Sequence, residues 1–289
     1  HYFPALVKEE KVEDETSEKK RKERAMVNDF TFDFSVDNLE PINEVFNLPF
    51  VVEEEAKIKG FFHENSQQFR VRVEAPVLRK GSSSCTDLLM LLENPQDRLK
   101  VLCRTTVLSN NQRRKPYYIS LNTQSVKDDL DLRFSFSNSG ENTYSGNLDL
   151  KALFKDFQKG EGVTADIEIK PTNFYLNDTI WNLRGSKVMI DKKVIEIDSL
   201  LLGHNSQFLC INGRNSYEEN DRINVHFSDL QLGFFSDLLA NKNISFNGVT
   251  GGDLYVYQLF KQPFFEGELY VYDGELNECV LGDLSVKAE

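Results

Sequence analysis

The sequence has no Cys-x-x-Cys pair, and its four histidines, His1, His63, His204 and His226, are scattered. Metal centres need closely spaced Cys and His ligands, so no metal is expected. His204 and His226, on opposite sides of a turn, are the one pair a shared ion would use; two unrelated strand residues is the plainer reading. There is no G-x-S-x-G, no phosphate loop and no H-E-x-x-H. Neither Asn205–Gln207 nor Gly60–His63 gathers a constellation around it. The many carboxylates alternate with apolar residues, which is the pattern of a solvent-facing strand surface. No reaction and no cofactor are therefore expected.

Long apolar runs are also missing. The longest, such as Leu88–Leu92, falls far short of a membrane-spanning helix. No secretory signal is visible: His1 is followed by a short apolar patch and then dense charge. A chain that opens this way reads as a piece of a longer one. The four cysteines, Cys85, Cys103, Cys210 and Cys279, read as buried, inert thiols. A Cys85–Cys103 disulfide is the alternative, and it would suit an oxidising compartment. With 46 acidic against 34 basic residues the net charge is −12, which repels nucleic-acid phosphates, so no nucleic-acid partner is expected.

What is present is phenylalanine and alternation. There are 22 Phe against 10 Tyr, and many Phe sit at every second position, where a continuous apolar strand face would place them. After a charged stretch at 8–25, which reads as a linker or marginal helix, Phe30, Phe32, Phe34 and Val36 alternate with polar residues. Its Lys19–Arg24 cluster suits either an anionic headgroup or a solvated face. The same alternation recurs at Phe69–Val73, Val101–Cys103, Tyr117–Leu121, Leu130–Phe136, Leu148–Leu150 and Ile167–Ile169. Turn signals fall about every 8–14 residues, the spacing of an all-β chain. Two segments break the rule and are expected to be short helices, Ser84–Glu93 and Leu150–Gln158. A weak repeat of strand, Asp-x-Leu or Asp-Leu, then short helix runs over 30–48 and 223–240.

The most patterned stretch is Phe246–Val286. Leu254 and Val256 alternate with Asp253, Tyr255 and Tyr257; Leu269 and Val271 alternate with Glu268, Tyr270 and Tyr272. Asn247-Gly248, Gly251-Gly252 and Asp273-Gly274 read as the tight turns between three short strands, and Pro263 lies between strands where its missing N–H costs no ladder bond.

This stretch resembles the C-terminal region of the AsmA-like/TamB superfamily of diderm bacteria. The residues that carry the resemblance are Phe246, Gly248, Gly252, Leu254, Val256, Pro263, Gly267, Leu269, Val271, Gly274, Leu276 and Gly282. Upstream they are Phe174, Trp181, Leu183, Ile190, Ile195, Ile197, Leu200, Leu202, Leu209, Ile211 and Gly213. Gln258 departs from it, standing where the family tends to place glycine. The resemblance covers roughly 172–286 and fades towards the N-terminus.

The resemblance implies an all-β, elongated, curled antiparallel or mixed sheet with an open apolar groove, carrying a few short helices. The expected organisation is a charged extension at 1–27, a β-rich groove segment at 28–171 and a TamB-like segment at 172–289, continuous with the one before. The groove would be lined by Phe30, Phe32, Phe34, Phe134, Phe136, Trp181, Leu183, Ile195, Ile197, Ile223, Val225, Phe227, Leu254, Val256, Leu269 and Val271. Ordinary core packing is the competing reading for each. The implied function is phospholipid transport between inner and outer membranes, or outer-membrane protein assembly with a β-barrel partner. The implied location is the periplasm, with the parent chain anchored in the inner membrane. Two other readings stand beside it. One is an adhesive β-repeat domain that binds glycans or proteins through Tyr255, Tyr257, Tyr270 and Tyr272; the other is a β-solenoid polysaccharide enzyme with clustered carboxylates.

Overall fold

The computed structural model describes residues 2–3, 29–36, 51–80, 83–109, 117–138, 143–158, 162–233, 245–277 and 279–288. The charged stretch at 8–25 and most of both short segments that follow the repeated strands lie outside them. The chain forms two compact units, His1–Ser139 and Gly140–Glu289. Residues 171 and 172 fall inside the second.

Every strand pairing in each unit is antiparallel. In the first unit, β1 (Asp29–Val36) pairs with β3 (Ala56–His63), and β3 with β4 (Gln68–Lys80), which also takes the two-residue β2 (Val51–Val52). The meander continues through β5 (Ser83–Glu93), β6 (Leu99–Ser109), β7 (Tyr117–Val126) and β8 (Asp129–Asn138). A single 3-10 turn, Pro95–Asp97, joins β5 to β6.

In the second unit, β9 (Tyr144–Gln158) pairs with both β10 (Gly162–Ile169) and β11 (Thr172–Leu176). These two are one hairpin arm interrupted at Lys170-Pro171. The return arm is β12 (Thr179–Leu183) and β13 (Ser186–Asp191), interrupted opposite it at Arg184-Gly185. Ile169 faces Ser186 and Thr172 faces Leu183, so the register runs unbroken across the interruption. Proline suits the break because it has no N–H to leave unpaired. Then follow β14 (Val194–His204), β15 (Gln207–Asn215), β16 (Arg222–Gln231), β17 (Phe246–Tyr257), β18 (Phe264–Leu276) and β19 (Cys279–Ala288), each paired with the next.

Two expectations are corrected. The segments 84–93 and 150–158, read as helices, are strand β5 and the second half of β9. Their apolar runs fit a helix and a buried strand equally by periodicity; pairing decides for the strand, β5 with β4 and β6 on its two sides and the second half of β9 with β10. The glycine pairs read as hairpin turns also lie elsewhere. Gly248, Gly251 and Gly252 are inside β17, and Gly274 is inside β18. They sit at or near register shifts, between Asn247 and Val249 and around Gly274. There they serve bulges and kinks that coil the strands. Several two-residue turns use other residues instead. Lys127-Asp128 and Asn177-Asp178 have positive φ at both positions, as a type I′ hairpin requires.

The cysteines are all free. They are also less sheltered than expected: Cys85, Cys103 and Cys210 are half-buried and Cys279 is exposed. Cys85 stands opposite Val107 and Cys103 opposite Met90, so the strand register keeps the two apart.

Candidate functional site

Directly opposed residues of an antiparallel pair share a face, and faces alternate along each strand. Following the register therefore sorts each unit into two faces. In the first unit, Phe30, Phe32 and Phe34 stand opposite Phe62, Gly60 and Ile58, which lead on to Phe69, Val71 and Val73. The face continues through Leu92 and Met90 to Val101 and Cys103, then to Leu121 and Ile119, and ends on Phe134 and Phe136. The five phenylalanines expected to line a groove thus share one face.

The second unit repeats this. Trp181 opposes Phe174, and Leu183 opposes Leu202, which opposes Leu209 and, beyond it, Phe227. Ile195 and Ile197 oppose Ile190 and Val188. Ile223 and Val225 oppose Val256 and Leu254; Gly252 opposes Leu269, and Thr250 opposes Val271. All eleven residues expected to line the groove in this unit fall on one face. Sequence reasoning passed over neighbours on the same faces, among them Ile58, Phe62, Met90 and Leu92. Their alternation was legible; a glycine in one strand and a continuous apolar run in the other obscured it.

Burial differs between the two faces at β12, although the reverse face of β17 holds the buried Tyr257. On the apolar face Ile223 is 5% exposed and Trp181 4%, whereas on the reverse face Ile180 is 43% exposed. The described residues of this unit form a single meander, so the difference reflects a sheet curled towards its apolar side. Small side chains fit the tightest part: Ala165 and Ala152, both buried, sit on adjoining strands. Towards the last strands the face opens, with Phe265 and Val286 exposed. At the edge of the first unit Phe30 and Phe34 are 53% and 57% exposed. The described apolar faces therefore include large side chains left open to solvent.

The turn end of the second unit holds a cavity of about 530 Å³. It is floored by Leu176 and Trp181 and reached by Thr179 of β12 and Asn247 of β17. Those strands are separated by β14, β15 and β16, which in a flat sheet would place them roughly 19 Å apart. Sharing one cavity requires the curl. Sequence reasoning missed this cavity, because polar residues beside turns carry no signal of convergence.

Over β15 to β17 the reverse face is polar and cross-linked. His226 Nδ1 lies 2.7 Å from Asp253 Oδ1, Asn224 donates to Asn212 Oδ1 at 3.1 Å, and Arg222 donates to the Tyr257 hydroxyl at 3.0 Å. That hydrogen bond, above all, raises the Arg222 guanidinium above its ordinary value. Arg222 also lies 4.2 Å from the Tyr255 ring centroid, and Tyr257 is buried and stacks on Phe264. Of the four tyrosines that an adhesive domain would use, Tyr255 and Tyr257 are thus engaged within the protein, while Tyr270 and Tyr272 are 36% and 52% exposed. A β-solenoid is built of parallel strands, and the pairing here is antiparallel. Among the described residues no cluster of His, Cys, Asp and Glu could hold a metal ion, and no helix is long and apolar enough to cross a membrane. No family model matches the sequence, and no curated protein or solved structure matches it either.

Proposed function

We propose that this chain is part of an AsmA-like/TamB-type envelope protein whose curled sheets hold phospholipid acyl chains on their apolar faces. In that reading it lies in the periplasm, carries phospholipid between the two membranes or serves outer-membrane protein assembly beside a β-barrel partner, and catalyses no reaction. The observation that supports it best is the apolar face of each unit: strand after strand delivers its apolar residues to one side of that unit, and that side remains partly open. An acyl chain moving through water needs about 0.8 kcal/mol of shielding per methylene, which a continuous apolar trough supplies without specific contacts.

The test is retention of phospholipid by the purified chain. The chain is incubated with vesicles of phosphatidylethanolamine and phosphatidylglycerol, re-isolated and weighed by native mass spectrometry. The wild type is expected to retain phospholipid. Val256→Arg is expected to keep its circular dichroism and lose the lipid, because a half-buried position beside an open trough lets a long charged side chain reach water. A folded wild type without lipid overturns the proposal. So does a Val256→Arg chain that fails to fold, since it would show a closed core in which an unpaired charge costs several kcal/mol.

A further inference from the structure

The cavity at the turn end of the second unit has a chemistry of its own. In a chain where 28% of residues are charged, none of the ten described residues lining it is Asp, Glu, Lys or Arg. Its rim carries four carboxamides, Asn177, Gln207, Gln231 and Asn247. The Gln207 Oε1 accepts a hydrogen bond from the Gln231 backbone N–H at 3.4 Å, which leaves its amide nitrogen to the cavity. The side chains of Asn177, Gln231 and Asn247 are solvent-exposed. His204 Nδ1 lies 2.8 Å from the Ile180 carbonyl oxygen and its Nε2 2.9 Å from the Asn205 amide nitrogen, so both ring nitrogens are engaged within the protein.

We propose that this cavity binds an uncharged polyhydroxy group, a sugar or sugar-like polyol, either free or as the headgroup of a lipid whose chains lie on the apolar face. The lipid form rests on the function proposed above; the free form does not. Each carboxamide offers two donors and an acceptor, and each sugar hydroxyl both donates and accepts, so the two sets match without charge. A phosphate would call for Arg or Lys, and a metal cation for carboxylates, and the described lining holds neither. Leu176 and Trp181 give the mainly polar lining a small apolar area. The same Trp181 belongs to the apolar face, so a headgroup in the cavity leaves its chains beside that face.

Trp181 is the sole tryptophan, and it lines the cavity, so its fluorescence reports on this site without background. The full chain is titrated with methyl β-glucoside, with octyl β-glucoside below its micelle concentration, and with dihexanoyl phosphatidylcholine. A saturable change with octyl glucoside is expected, at an affinity about ten-fold or more above that for the phosphatidylcholine. The double variant Gln231→Ala, Asn247→Ala should lose the glucoside response while keeping its circular dichroism, because both side chains are at the surface. A matching response to methyl glucoside identifies a free saccharide; a response to octyl glucoside alone identifies a glycolipid. No response to either glucoside, an equal response to the phosphatidylcholine, or an unaffected double variant overturns the proposal. A chain that retains phospholipid on its face yet ignores glucosides fails only this proposal. One that binds methyl glucoside and retains no phospholipid fails only the earlier one.

Discussion

The Phe32 ring lies over the α-carbon of Gly60 on the neighbouring strand. The two are directly opposed, and a Cβ built on Gly60 would stand 2.5 Å from Phe32 Cζ and closer still to the Arg70 carbonyl oxygen. The glycine leaves a gap in the apolar face, and the ring fills it, the pairing by which aromatic residues offset strand glycines. The ring also stands 5.6 Å from Phe34 and 6.2 Å from Phe30. Gly60→Ala is therefore expected to destabilise the first unit by about 1–3 kcal/mol, seen as a lower urea midpoint at an unchanged slope. Combined with Phe32→Ala the losses should sum to less than their total, since the two changes share one contact. Full additivity would refute the pairing.

Gly252 serves differently. Its φ is +122°, and an added Cβ would collide with the Glu268 carbonyl oxygen across the pair. No rearrangement of a side chain relieves a clash with backbone. Gly252→Ala is expected to cost about 1–3 kcal/mol through strain and to loosen the β17–β18 pairing, measured as faster amide exchange in both strands. Exchange unchanged from wild type would show that the kink is not needed.

The thiols should react in a definite order. Burial, and then the negative charge of Cys85 further along the sheet, push the Cys103 thiol above its ordinary value, so it offers little thiolate near neutrality. Cys279 is exposed. Alkylation by iodoacetamide, followed by peptide mass spectrometry, is expected to label Cys279 first and Cys103 late, with the Cys103 rate climbing as pH rises beyond the usual cysteine range. Early labelling of Cys103 in the folded chain would contradict its burial.

Strand β1 is tied to its neighbour by ionised groups. Asp33 sits 2.8 Å from Lys59, and Asp29 accepts from the Glu64 N–H at 3.0 Å. The Ser35 hydrogen bond, then Lys57, hold the Glu55 carboxyl below its ordinary value; Asp33 holds the Lys59 ammonium above its own. A lowered carboxyl contributes above the ordinary carboxylate range and is lost as pH falls through the lowered value. A raised ammonium contributes below the ordinary lysine value and is lost as pH rises through the raised one. Amide protection of β1, corrected for intrinsic exchange, should stay level between about pH 5 and pH 10 and fall beyond both ends. These groups lie at the surface, so the effect should shrink in high salt.

Alternation along the chain was enough to place Phe30, Phe32 and Phe34, or Leu254 and Val256, on the apolar side of a strand. It also set the class, since a period of two repeated from β1 to β19 admits little but a sheet. The apolar run at 88–92 was ambiguous, because a strand paired on both sides and a buried helix can both be continuously apolar. Only the pairing of β5 with β4 and β6 resolved it. The glycines misled for a related reason. Positive φ serves a tight turn and a strand kink alike, and the sequence does not say which; meanwhile Lys127-Asp128 turns without a glycine because strands already paired hold it there.

What the sequence determined by itself is local: which residues alternate, and therefore that each strand has an apolar and a polar side. What tertiary structure decided is which alternating sets adjoin. Register carries Trp181 to Phe174 and Leu202 to Leu209, and the curl brings Thr179 and Asn247 to one cavity across five strands. Those are non-local facts, set by pairing and bulges between residues tens of positions apart, and no pattern within a single strand encodes them.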